Sequence, residues 1–364
     1  MKKIVGILAV AALFATSVFA SDISAATKIK GTIFSRGADE TVGLFQQKND
    51  SHDYANPNFS VSISDDNFGA SLKITTDGDQ GSAVNPFWAP VTKQTTQTIW
   101  FKPVDALKIS VGNYDLALNK EQIDWTESVT GLGGNGFVFS INAAGVGLDF
   151  FLNEGTGNDF WFSKAKNADD PTLKEFGVKF GYSADFGSIG AFVDINRSGN
   201  RWTYHDNLTT GNNNGSFFDP KAEGAIKNML FGAGYNNTFG GVKTFLNVVG
   251  YMGENFDWIR PELYVSGAAD AFGYSLFAAP VIWTNSDLNK DFEMELVAKV
   301  TYALDGFTPY AYFKANNLLA DTFAATVKLG ANGSVGGMGW NTWLQLDVAD
   351  KTAISVPFEL TVGF

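Results

Sequence analysis

Apolar and polar residues alternate at every second position through most of this chain, the period that sends successive side chains to opposite faces of a β-strand. Near the C-terminus Ile354, Val356, Phe358, Leu360, Val362 and Phe364 share one face, and Ser355, Pro357, Glu359, Thr361 and Gly363 the other. Upstream, Phe176, Val178, Phe180 and Tyr182 oppose Glu175, Gly177, Lys179 and Gly181, while Met294, Leu296, Ala298, Val300 and Tyr302 oppose Glu293, Glu295, Lys299 and Thr301. Likewise Phe323, Ala325, Val327 and Leu329 oppose Thr326 and Lys328. One face is apolar and the other carries charge, strand after strand.

This pattern predicts strands near 27–35, 58–64, 68–75, 95–102, 106–113, 135–142, 145–152, 173–183, 188–196, 226–236, 241–251, 258–268, 271–283, 292–303, 307–315, 322–331, 337–347 and 353–364. That is eighteen; merging two short early strands gives sixteen. One kind of short connection recurs: Asn67-Phe68-Gly69, Asp185-Phe186-Gly187, Thr238-Phe239-Gly240, Ala271-Phe272-Gly273 and the variant Asp305-Gly306-Phe307. Gly and Asp supply turn conformations, and the aromatic falls where a strand would enter a membrane interface. The opposite connections are long and polar at 36–57, 76–94, 114–134, 153–172 and 197–225, then short at 252–257, 284–291, 316–321 and 348–352.

No apolar run after the N-terminus approaches the ~20 residues of a spanning helix, so a membrane protein with this sequence crosses as a closed barrel. The expected fold is all-β, a transmembrane antiparallel up-and-down β-barrel. An even strand count with both termini on the short-turn rim fits single-chain bacterial barrels, and sixteen or eighteen strands leave an aqueous channel. A soluble β-sandwich would alternate too. Isolated charges on the polar faces, the broad aromatic apolar faces and the alternation of long and short connections favour the membrane.

The N-terminus has the form of a secretory signal peptide over residues 1–20: Lys2 and Lys3, the apolar stretch Ile4 to Phe14, and Val18-Phe19-Ala20 as cleavage site. Residues 21–364 are then a single barrel domain. Hydrophobic residues make up 45% and charged residues 18%, with 39 glycines and 32 phenylalanines, a composition of a folded β-rich chain. Loss of Lys2 and Lys3 takes the formal charge from −12 to −14, which leaves no basic footprint for nucleic acid. Cysteine is absent, so neither disulfides nor thiolate chemistry are available.

With its terminal aromatic and an apolar residue at every second position before it, the segment Val356 to Phe364 resembles the C-terminal signature of Gram-negative outer-membrane porins. The resemblance implies outer-membrane lipids as surroundings, and handling by the barrel-assembly machinery through Phe364, Val362, Leu360 and Phe358. The organisation of the chain is similar to that of general diffusion porins, in which the third outer loop folds inward and presents carboxylates to a basic wall. Here 114–134 holds Asp115, Glu121, Asp124 and Glu127 before Gly131-Leu132-Gly133-Gly134. The family's Pro-Glu-Phe-Gly-Gly loop motif is missing apart from a Gly-Gly pair. By analogy with porins, the short later loops mark a side that a homotrimer would protect.

If the polar faces line a lumen, its basic positions are Lys28, Lys30, Lys73, Lys102, Lys108, Lys179, Lys243, Arg260, Lys299, Lys314 and Lys328. Its acidic ones are Asp149, Glu175, Asp194, Glu262, Glu293, Glu295, Asp347 and Glu359, which leaves the wall at +3. The first five strands contribute Lys28, Lys30, Lys73, Lys102 and Lys108 and no carboxylate. These lysines would face the acidic third loop across a constriction, where charge tunes selectivity. The plainer reading is that lumenal Lys and Glu keep the wall wetted and pair across strands.

Nothing else carries chemistry. His52 and His205 lack metal-ligand spacing, Asp77-Gly78-Asp79-Gln80-Gly81 lacks the bidentate Glu of a calcium loop, and no Ser/His/Asp arrangement is visible. No cofactor or metal is expected, and no enzymatic activity. Trp88, Trp161, Trp202 and Trp258 fit either a saccharide-selective channel or the packing of loops. The expected function is passive diffusion of small hydrophilic solutes and ions through a water-filled channel. The alternative is a surface interaction protein acting through 197–225.

Overall fold

The computed structural model describes residues 20–46, 58–77, 92–116, 118, 119, 123, 132–153, 175–196, 228–253, 255–286, 292–315, 317–319 and 323–363. The signal-peptide stretch up to residue 19, and the terminal Phe364, lie outside the described residues. The strands are β1 (Ala20–Arg36), β2 (Val42–Gln46), β3 (Asn58–Ser64), β4 (Phe68–Asp77), β5 (Thr92–Val104), β6 (Leu107–Asp115), β7 (Gly133–Ala143), β8 (Val146–Asn153), β9 (Phe176–Ala184) and β10 (Gly187–Ile195). There follow β11 (Met229–Phe239), β12 (Val242–Met252), β13 (Phe256–Ala269), β14 (Phe272–Trp283), β15 (Glu293–Tyr302), β16 (Phe307–Ala315), β17 (Ala325–Val335), β18 (Met338–Val348) and β19 (Ala353–Gly363).

From β3 to β19 each strand pairs antiparallel with the next, and β1 closes the ring. Its one edge meets β19 from Ala26↔Gly363 to Arg36↔Ile354, with a bulge between Thr32 and Phe34. The other edge carries β2 along Thr32–Arg36 and β3 along Ala20–Ala26. Since β2 and β3 lie on the same edge of β1 in the same direction, they share one strand position, and among the described residues the nineteen segments fill eighteen places. The expected count of eighteen holds, and closure leaves no bare edge to be satisfied inside lipid.

Within the stretch 36–57, read from sequence as a loop, β2 is an addition. Its five residues offer only two outward apolar positions, Val42 and Leu44, too few for alternation to register. A tight turn returns it to β1: the Gly37 amide donates to the Thr41 carbonyl at 2.9 Å and the Glu40 amide to the Gly37 carbonyl at 3.0 Å. In that turn the Thr41 hydroxyl and backbone amide both bond the Asp39 carboxylate and hold its pKa below the ordinary value.

The two faces of the wall are polarised opposite to a soluble protein. On β12, Leu246 is 47% exposed while its chain neighbour Asn247 is fully buried. Ile99, Phe101, Phe137, Ile141, Val178, Phe180, Leu263, Leu276, Val300, Leu329 and Leu344 are exposed in the same outward sense, whereas Arg260, Glu262 and Glu295 are buried within. Large exposed apolar residues around the whole ring, with charge inside, are the mark of a lipid-facing barrel.

One rim consists of tight turns. Ala144 and Gly145, Gly240 and Gly241, and Gly336 and Gly337 each form consecutive positive-φ pairs, the requirement of a two-residue type I′ hairpin. Phe68, Phe186, Phe239, Phe272 and Phe307 all stand exposed beside turns of this rim, between 40% and 55%, as expected of an interfacial girdle.

Candidate functional site

The lumen-facing side of β8 to β16 is apolar over much of its area, which the alternation did not announce. Register places Val138, Phe151, Phe192, Leu230, Val249, Tyr251, Trp258 and Val281 on the same inner rows as the charged residues. These side chains are buried because residues of the third outer connection lie on them. Leu132 joins their cluster, with Leu116 and Leu118 packed against it. Ile123 joins a second cluster with Phe245, Tyr264, Phe277, Val297 and Tyr312, on β12 to β16. The described residues of the connection, Leu116, Leu118, Asn119, Ile123 and Leu132, thus lie against the inner wall.

Glycines make the seat for it. A Cβ on Gly190 would stand 2.5 Å from Leu118 Cδ1, and one on Gly234 would stand 2.7 Å from Asn119 Nδ2 and 2.9 Å from Leu118 Cδ2. Both glycines occupy inner positions of β10 and β11 and pair in register. A side chain at either would force Leu118 to shift from its seat.

Polar groups then fix the register of the insertion. Asn119 Nδ2 donates to Asn247 Oδ1 at 2.9 Å, Asn247 Nδ2 donates to the Asn119 carbonyl at 3.1 Å, and Asn236 Nδ2 donates to Asn119 Oδ1. Asn247 also donates to Glu262 Oε2 at 3.0 Å. Glu262 Oε1 lies 3.2 Å from Arg260 Nε, whose guanidinium reaches Glu295 Oε2 at 2.8 Å, and Lys314 Nζ closes the chain 3.6 Å from Glu295 Oε1. Two cations and two carboxylates neutralise one another beneath the insertion, as burial of charge demands. At the far end Lys299 Nζ donates to the Ile123 carbonyl at 3.4 Å.

Of the expected constriction residues, Asp115 is exposed at the end of β6, and Glu121, Asp124 and Glu127 lie outside the described residues. Lys73 is exposed on the inner face of β4. Lys102 and Lys108 stand over the indole of Trp100, their Nζ atoms 5.6 and 4.9 Å from the ring centre. Positions 28 and 30 pair with Thr361 and Glu359, which continues the same inner row across the closing seam. The basic positions thus share one arc of wall, away from the apolar seat. Arg260 and Lys314, counted as open wall charges from sequence, are instead consumed by Glu262 and Glu295.

In β19, Phe358, Leu360 and Val362 alternate with inner Glu359 and Thr361, and the Phe358 ring lies against Gly31 of β1. Trp258 stacks on Tyr251 at 5.9 Å within the buried cluster, so it packs the insertion. Trp88, Trp161 and Trp202, and the 197–225 connection, lie outside the described residues. Sequence reasoning missed the apolar seat, although inner glycines at 177, 190, 232 and 234 on neighbouring strands were a usable signal for a close-packed insert.

No protein-family model matches the sequence, and no curated protein is similar to it. Solved structures resemble it in backbone architecture. The outer membrane protein OpdK from Pseudomonas aeruginosa superposes with a TM-score of 0.55 at 8% identity, covering 94% of this chain and 98% of its own. The fold is that of an outer-membrane barrel. The outer membrane protein OprD from Pseudomonas aeruginosa gives 0.52 at 9% identity over 94% of both chains, and Acinetobacter baumannii OccAB4 gives 0.53 at 9% over 94% and 98%. At such identities the likeness concerns backbone architecture, and it extends over nearly the entire length.

Proposed function

We propose that the protein is an outer-membrane porin, exported by the segment 1–20, whose lumen passes small hydrophilic solutes and ions by passive diffusion. The observation that carries this reading is the seating of Leu118, Asn119, Ile123 and Leu132 on one half of the inner wall of an eighteen-stranded ring. An insertion of this kind narrows a barrel that would otherwise be a wide tube and leaves the opposite arc as the lining of the passage.

That arc is basic. Lys73, Lys102 and Lys108 line it together with positions 28 and 30, whereas Arg260 and Lys314 are matched by Glu262 and Glu295. The carboxylates of Glu121, Asp124 and Glu127 would oppose the arc within the same constriction. With Arg260 and Lys314 neutralised and the lysines retained, the balance favours anions. Assembly would proceed through Phe358, Leu360, Val362 and Phe364, and the wall bearing the short later loops suits a homotrimer contact. No step of this activity calls for catalysis, a metal or a cofactor.

Reconstitution in planar lipid bilayers tests the reading. Stepwise conductance is expected, with a reversal potential of anion-preferring sign under a salt gradient. Cation preference would overturn the selectivity, and absence of conductance from heat-modifiable, folded protein would overturn the channel.

A further inference from the structure

Beyond the generic passage, we infer that Trp100, Lys102 and Lys108 form a binding site for phosphorylated sugars at the short-turn mouth of the lumen. The inference rests on the porin reading, because only a lumen brings solute to this wall.

The orientation of the three residues follows from the strands. On β5, Ile99 and Phe101 are exposed on the lipid side, so Trp100 and Lys102 point inward, and Trp100 pairs with Ser110 two positions beyond Lys108 on β6. The site lies low in the barrel: the Lys102 amide donates to the Asn67 carbonyl of the β3–β4 turn at 2.7 Å, and β5 turns into β6 at Val104↔Leu107.

Trp100 packs against the wall at Gly69. Opposite it on β4 stands Gly69, where a Cβ would come within 2.4 Å of the indole Nε1 and 2.5 Å of Cε2. The absence of a side chain at 69 is therefore what admits the ring. Two ammonium groups crowd over that one ring, at 4.9 and 5.6 Å from its centre. Each gains from the ring quadrupole, yet the two repel one another.

Among the described residues no carboxylate forms an ion pair with Lys102 or Lys108. The nearest inner acid by register is Asp149, reached from Lys108 only through Ser140 on the intervening strand, and Asp149 is itself opposite Lys179. Other nearby inner positions, Ser71, Thr98 and Ser110, are small hydroxyl residues. A doubly charged phosphoryl group between the ammoniums would relieve their repulsion, since lysine serves as a point-charge phosphate ligand. Once a phosphoryl group draws the two ammoniums off the ring, the indole offers its face to the C–H surface of a sugar ring, while the hydroxyls receive its polar rim. A free anion satisfies only the first of these, and a neutral sugar only the second.

Isothermal calorimetry of the full-length protein in detergent micelles, with glucose 6-phosphate, glucose and inorganic phosphate as probes, reads binding without requiring conductance. Glucose 6-phosphate should bind saturably, and Trp100→Ala or the pair Lys102→Gln/Lys108→Gln should weaken it about 10-fold or more, with Trp100→Phe retaining most of the affinity. Heat-modifiability on gels identifies any variant that fails to fold; in that case Gly69→Ala, which displaces the indole while leaving all three residues present, replaces it and should weaken binding likewise. Equal affinity for inorganic phosphate and glucose 6-phosphate, or unchanged binding by folded Trp100→Ala, would overturn the site. Binding without conductance would retain the site and refute the porin, whereas conductance without binding would do the reverse.

Discussion

Asn119 and Asn247 exchange a pair of hydrogen bonds at 2.9 and 3.1 Å across a sequence separation of 128 residues. Asn247 is fully buried, and its carboxamide serves both the inserted connection and Glu262 of the wall. Replacing it with alanine removes these bonds and leaves buried partners short of a donor, at a cost of ~1–3 kcal/mol. The expected outcome in planar bilayers is a larger and noisier single-channel conductance. A trace matching the wild type, from folded protein, would show that the pair does not hold the constriction.

The glycine seat makes a separate prediction. Gly190→Val places a branched side chain where Leu118 already stands. Backbone at 190 lies in a regular strand, so the barrel tolerates valine while the insertion does not. Conductance should rise as for Asn247→Ala, and combining the two should add little, because both release the same segment. Full additivity on a logarithmic scale would mean that the two sites act on different elements.

Arg260 bridges two buried carboxylates. Arg260→Met strands Glu262 and Glu295 without their shared cation, which should destabilise the barrel by ~3–5 kcal/mol. Adding Glu262→Gln and Glu295→Gln to the same variant should recover most of that loss, since the uncompensated charge is then gone. Urea midpoints followed by gel mobility distinguish the outcomes; a triple variant no better than the single one would remove electrostatics as the cause.

Adjacent to buried Asn247, Leu246 faces outward and is 47% exposed. Arginine at 246 should cost up to ~2–4 kcal/mol, depending on its depth in the bilayer. Loss of folded yield in lipid vesicles, compared with Lys243→Arg on the inner face, measures it. Equal tolerance at both positions would contradict the lipid-facing assignment.

Alternation and turn chemistry determined the turn rim with its Phe girdle and the outward face, because each is a local property of period two and short turns, but left eighteen strands against sixteen to the register of β1 with β2 and β3. The inner wall was only half legible. Register sets Lys73, Lys102 and Lys108 on the inner face, and it sets Phe151, Phe192, Phe245 and Phe277 there too, which the pattern did not signal, since inner apolar residues interrupt a pattern whose meaning depends on what covers them.

The same limit explains Arg260, an ordinary wall charge in sequence and a buried bridge in the folded chain. Its partners lie on β13 and β15, and the lid above it comes from beyond β6. Only closure of the ring brings those strands and the third connection to one place. Sequence thus determined a barrel with a charged interior, and tertiary structure decided which of those charges face water and which lie sealed beneath the insertion. The physical reason is that burial is a property of the assembled wall, set by contacts far apart in the chain.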